Sequence, residues 1–232
     1  MIRLLPCVAL LSLALAACGQ DSSPPTKSTG NSAANISDDN PLVGVPTHSF
    51  DPPVPKHLPD IVRVRMETSA GTIVLALDHK HAPVTTTNFV RYVDDHRFDG
   101  TSFYRVARNT WAPDQGFIQG GIAHNIRLML PPIKLEPTTQ TGLKHVDGTI
   151  SMAHATPDTA MGDFTIDVGV QPGLDAHPGN KDEDKGFAAF GQVVEGMDVV
   201  RRILAAPTVP YKGKPSENVA APVKIIRVTP AG

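Results

Sequence analysis

Residues 61–77 read IVRVRMETSAGTIVLAL, and this stretch decides the fold class. From Ile61 to Thr68 apolar and charged side chains alternate, the period-two pattern of a strand buried on one face. Ser69-Ala70-Gly71 interrupts the pattern with small turn residues, and residues 72–77 resume it as the second strand of a hairpin. Downstream, Pro83 stands at a first helical position, which needs no amide hydrogen. Residues 84–94 carry Phe89, Val90 and Val93 on one face, so a short amphipathic helix is predicted, closed before Asp99-Gly100.

Strands are predicted over residues 101–106, 116–119, 149–153, 164–168, 188–194 and 222–228. Residues 197–204 have the spacing of a second short helix, with Val200 and Leu204 four apart. Seven or eight strands with two short helices predict a mainly β fold, a closed antiparallel barrel with helices capping its ends. No internal repeat is evident.

Upstream of the hairpin the chain changes character. Arg3 supplies a positive n-region, and residues 8–15 form an apolar run too short to span a bilayer. That run ends in Leu15-Ala16-Ala17-Cys18, which resembles a bacterial lipobox, the signal after which the cysteine carries a diacylglycerol. Residues 1–17 are therefore read as a lipoprotein signal peptide, and Cys18 as the lipidation site. The simpler alternative is a secretory signal with a free thiol. Residues 18–58 are rich in Gly, Ser, Pro, Asn and Asp without apolar periodicity, the composition of a flexible tether. The folded domain is placed at residues 59–232.

Composition narrows the chemistry. The chain has 232 residues, a formal net charge of −2 and no Lys/Arg cluster, which argues against a nucleic-acid partner. Its two cysteines are Cys7, inside the leader, and Cys18, so the mature domain has no disulfide, no thiolate nucleophile and no Cys-based zinc site. Nine histidines include the short-spaced pairs His79/His81 and Asp175/His177, but neither has further ligands at a recognisable spacing. No metal and no cofactor are expected.

Periodicity does not name a function; the motifs do. Residues 62–93 (VRVRMETSAGTIVLALDHKHAPVTTTNFVRYV) are similar to the opening hairpin and first helix of bacterial cyclophilins. Phe103-Tyr104-Arg105-Val106, Gly116-Phe117-Ile118-Gln119-Gly120-Gly121, Gly148-Thr149-Ile150-Ser151-Met152-Ala153 and the stretch 189–197 (AFGQVVEGM) follow in the family's order. The resemblance implies a closed eight-stranded antiparallel barrel capped by two short helices, and peptidyl-prolyl cis–trans isomerase activity. It also implies that Arg105 supplies the donor that favours a single-bonded prolyl nitrogen, and that Gln119 binds substrate backbone and orients Arg105. Phe117 and Leu174 are the apolar candidates for the proline pocket, and Phe187 its late aromatic. The backbone beside Ala153 and His154 is expected to pair with an extended peptide.

The departures from the family concentrate in that pocket. Gly116 and Thr165 stand where pocket phenylalanines are expected, Asp163 where a glutamine is, Gly173 where an indole or phenylalanine is often found, and His154 where asparagine or arginine is common. Residues 107–114 read as an enlarged loop holding the only tryptophan, Trp111. Either Trp111 folds over the site and replaces apolar surface lost at Gly116 and Thr165, or it props the loop on the barrel. Residues 176–185 (AHPGNKDEDK) read as a charged, solvated loop.

Two functional classes follow. The first is an isomerase acting on Xaa-Pro bonds of exported proteins, monomeric, lipid-anchored and periplasm-facing. Gly19, rather than aspartate, after the cysteine favours the outer membrane. The alternative is a weakly catalytic or inactive peptide-binding module on the same barrel, favoured by Gly116 and Thr165. A purely structural envelope lipoprotein would need neither Arg105 nor Gln119.

Overall fold

The computed structural model describes residues 57–177, 185–210 and 216–231. The leader, Cys18, nearly all of the tether and most of the charged loop lie outside the described residues. β1 (Ile61–Thr68) and β2 (Gly71–Asp78) pair antiparallel from Ile61↔Asp78 to Thr68↔Gly71, so the opening stretch is the hairpin its alternation predicts. Val64 and Met66 point inward and are buried, whereas Arg63 and Arg65 face out.

α1 (Pro83–Asp94) follows, then β3 (Ser102–Asn109) and β4 (Ala112–Gly121). After a long excursion containing the single turn α2 (Thr138–Thr141) come β5 (Thr149–Met152) and β6 (Asp163–Val168). A 3-10 turn at Pro172–Leu174 leads towards β7 (Ala188–Glu195), α3 (Met197–Leu204) and β8 (Asn218–Pro230). The strands close in the order β1-β2-β7-β5-β6-β4-β3-β8, every neighbouring pair antiparallel, with β8 returning to β1. Closure removes both sheet edges, so no row of backbone donors is left unpaired.

The barrel is filled from its inward positions. Leu75, Leu77, Ile118, Ile150 and Ile166 are fully buried, and Phe89, Phe98, Phe103, Phe164 and Phe190 pack ring on ring with centroids 4.8 to 5.8 Å apart. α1 buries Phe89, Val90 and Val93, and α3 buries Val199, Val200, Ile203 and Leu204, as caps to the barrel. Glu136, itself buried, ties the excursion to α1. Its carboxylate accepts the amides of Val84 (3.0 Å) and Thr85 (2.8 Å) and the Thr85 hydroxyl (2.6 Å). An anion at a helix N-terminus satisfies donors that have no partner inside the helix. Among the described residues no helix is long and apolar enough to cross a membrane.

One expectation is corrected. Residues 107–114 are not a loose loop: β3 runs on to Asn109, β4 begins at Ala112, and Asn109 pairs with Ala112. The connection is a hairpin tip of Thr110 and Trp111, with the irregularity displaced into Pro113, Asp114 and Gln115 between Arg108↔Gly116 and Asn109↔Ala112. The extension hid in the sequence because Ala-Pro-Asp-Gln-Gly carries no period-two apolar signal.

Candidate active site

Lateral pairing brings the scattered motifs into one row. Arg105 on β3 pairs with Gln119 on β4, Gln119 with Thr165 on β6, Thr165 with Ser151 on β5, and Ser151 with Ala189 on β7. Directly paired residues share a face, and this row lies on the outer face because its neighbours Ile118, Ile150 and Ile166 are inside. Segments more than 80 residues apart in the chain thus contribute to a single shelf.

A bulge in β3 adds a further residue. Phe103 pairs with Gly120 and Arg105 with Gln119, so Tyr104 is extra. Phe103 and Val106 are both buried inward, which leaves Tyr104 and Arg105 in succession on the outer side. The Tyr104 hydroxyl accepts a bond from Gln119 Nε2 at 2.9 Å. Burial, reinforced by the nearby Asp163 carboxylate, raises the Tyr104 pKa well above its usual value, so the hydroxyl keeps its proton. Asp163 Oδ1 in turn accepts the Ala123 amide at 2.8 Å.

Arg105 is held on three sides. Nη1 donates to Gln119 Oε1 at 2.6 Å, and Nε and Nη2 donate to Glu217 Oε2 at 2.7 and 2.6 Å. Its Cζ lies 5.2 Å from the centroid of the Phe117 ring, within reach of a cation–π contact. Of the five guanidinium N–H groups, one on Nη1 and one on Nη2 have no partner among the described residues.

Gln119 is thereby committed at both ends, its oxygen to Arg105 and its amino group to Tyr104, and it is only 9% exposed. A bond to substrate would use its remaining N–H or oxygen lone pair.

The second cluster stands at the rim of the same shelf. The His154 ring packs on Phe187 with centroids 4.6 Å apart, and His154 Nε2 donates to the Gly186 carbonyl at 2.9 Å. The Phe187 amide donates to the Leu174 carbonyl at 2.9 Å, joining the 3-10 turn to the start of β7. Ala153, next to His154, donates its amide to the Asp163 carbonyl at 2.9 Å. Beside them opens a cleft of about 620 Å³ whose walls include His154, Asp158, Gly173, Asp175 and Phe187. Arg105 is not among those walls.

The altered pocket positions have physical reasons. Gly116 has φ +143°, and a Cβ there would lie 2.0 Å from the Ala107 carbonyl oxygen, so the β3–β4 hairpin leaves no room for the family's phenylalanine. Thr165 bonds Ser151 hydroxyl to hydroxyl at 2.8 Å, giving the shelf a polar floor. Trp111 neither folds over the site nor props the hairpin on the barrel: it stands 96% exposed at the tip. Among the described residues no group of three or more His, Cys, Asp or Glu side chains is arranged to hold a metal. Asp175 bonds His145 rather than His177, Nδ1 to Oδ1 at 2.8 Å.

Two members of the site escaped the sequence. Tyr104 adjoins Arg105, but only the bulge turns it outward. Glu217 meets Arg105 across 112 residues of chain, and no local pattern signals that contact.

The model of the family described as cyclophilin type peptidyl-prolyl cis-trans isomerase/CLD matches residues 63–229. The chain belongs to that family. Cyclophilin relatives include a peptidyl-prolyl cis-trans isomerase of Acinetobacter baylyi, 36% identical over 71% of this chain and 83% of that protein. Another, peptidyl-prolyl cis-trans isomerase A of Dickeya dadantii, is 38% identical over 67% of this chain and 80% of its own length. A crystal structure of a Cryptosporidium parvum cyclophilin type isomerase shares the fold with a TM-score of 0.58 at 19% identity, covering 74% of this chain and 98% of that one. This cyclophilin is accordingly an enzyme that interconverts cis and trans peptidyl-prolyl bonds.

Proposed function

We propose that Arg105 is the catalytic residue, that Gln119 holds it in place, and that the clients are proline-containing segments of exported proteins. The observation that carries this reading is the guanidinium fixed between Gln119, Glu217 and Phe117 with two N–H groups left without a partner among the described residues.

Unaided prolyl isomerisation takes tens to hundreds of seconds because twisting the bond sacrifices amide resonance, a barrier of about 18–20 kcal/mol. As the bond twists, the prolyl nitrogen becomes pyramidal and its lone pair becomes an acceptor. An N–H from Arg105 bonds that lone pair in the twisted state and has little to bond in the planar one. Such differential stabilisation accelerates the reaction without a nucleophile or a covalent intermediate. The substrate runs extended past Ala153 and His154, with Leu174 and Phe187 as apolar contacts at the rim. Gly116 and Thr165 make the proline seat shallower and more polar, an effect that belongs in KM.

Replacing Gln119 with Leu tests the arrangement. The variant removes both the acceptor for Nη1 and the link to Tyr104, and isomerisation of a proline tetrapeptide is expected to slow by roughly tenfold. An unchanged rate would sink the positioning role.

The location rests on the lipobox resemblance at residues 15–18, which supports a periplasm-facing enzyme anchored by a lipid on Cys18. Metabolic labelling with a radioactive fatty acid is expected to mark the protein and to be lost in Cys18→Ala. Label retained in that variant rules the anchor out.

A further inference from the structure

Glu217 holds two of the five donors of the arginine, and the reaction as described gives it no part. Its place is fixed by the barrel: the Glu217 carbonyl accepts the Val106 amide at 2.8 Å, and Asn218, the next residue, pairs with Arg105 at the start of β8. The carboxylate therefore faces Arg105 because the strands require it. One oxygen, Oε2, accepts from both Nε and Nη2, at 2.7 and 2.6 Å. This contact locks one edge of the guanidinium, as Gln119 locks the adjoining Nη1, and together they fix the plane in which the two remaining N–H groups lie.

We propose that Glu217 is a positioning residue for the isomerase reaction, setting the orientation of the Arg105 guanidinium. The inference rests on the reading of Arg105 as the catalytic group.

An anion so close to the guanidinium has a second effect of opposite sign, since it lowers the positive potential at the prolyl nitrogen. Exposure decides between the two. The side chains of Arg105 and Glu217 are 38% and 49% exposed, so water screens the field of the carboxylate at the substrate. The geometric constraint is not screened. A half-exposed arginine without it would turn about its long side chain and present the productive edge only part of the time.

The test compares kcat and KM for a proline tetrapeptide in Glu217→Ala, Glu217→Gln, Arg105→Ala and the Glu217→Ala/Arg105→Ala double variant, with thermal melts alongside. Glu217→Ala is expected to lose kcat by roughly three- to tenfold, with KM and melting temperature little changed. Glu217→Gln keeps an oxygen acceptor without the charge and is expected to recover to within about twofold of the parent. In the Arg105→Ala background the Glu217 substitution is expected to change nothing further. A parental or raised kcat in Glu217→Ala overturns the proposal, as does the same loss in both backgrounds. Parental activity in Arg105→Ala itself would instead remove the reading on which the proposal depends.

Discussion

Asp167 lies on the outer face of β6, two residues beyond Thr165, yet it is 0% exposed and neither carboxylate oxygen has a hydrogen-bond partner. Burial, with the Asp175 charge adding to it, pushes its pKa up to about 8. Burial also works against ionisation of Asp175, but the bonds from the ring and amide of His145 and the Lys144 charge outweigh it and hold that carboxyl below its usual range. The His145 imidazole, buried beside it, is pushed below its usual value by burial despite that contact. Asp167 is thus protonated in the folded protein at pH values where the unfolded chain, with its ordinary value of 3.8, has already lost the proton. The native state binds the extra proton, so the contribution of Asp167 to stability is fully present below about pH 4 and is lost as pH rises through 8. The swing has an upper size of roughly 6 kcal/mol. Asp167→Asn is expected to melt near the parent at pH 4 and several degrees above it at pH 8. Melting curves that track each other across that range would show that Asp167 ionises freely in the fold.

At the scale of the element, the β3–β4 hairpin decides what the site can hold. It carries Arg105, Phe117 and Gln119, and its tight return forces Gly116 against Ala107. Restoring the family's aromatic by Gly116→Phe is therefore expected to destabilise the protein by about 2 kcal/mol or more, from the positive φ and the carbonyl clash, without lowering KM. A stable variant with a lower KM would show that the hairpin can yield to the ring. The same hairpin marks the limit of sequence reading. The β1–β2 hairpin, α1 and α3 were legible because alternation, a turn of small residues and a proline at a helix start are local signals. The β3–β4 extension was not, since its tip is held by cross-strand pairing rather than by a pattern within residues 107–114. The single turn α2 and the 3-10 turn at Pro172–Leu174 are too short to show a period.

At the scale of the molecule, lateral pairing of β3, β4, β6, β5 and β7 makes the shelf a shared surface of distant segments. Arg105 and Gln119 were legible as members of motifs, and their contact at 2.6 Å follows from β3 lying beside β4. Glu217 and Tyr104 were not, because a long-range contact and a bulge leave no trace in local composition. The proposed mechanism depends on Arg105 above all, so the most direct measurement is isomerisation of a proline tetrapeptide by the protein, by Arg105→Ala and by Arg105→Lys. The expected result is acceleration by the parent that falls at least about tenfold in Arg105→Ala. Arg105→Lys should recover little of it, because an ammonium cannot reproduce the planar fork shared with Gln119 and Glu217. Equal rates for the parent and Arg105→Ala would contradict the account.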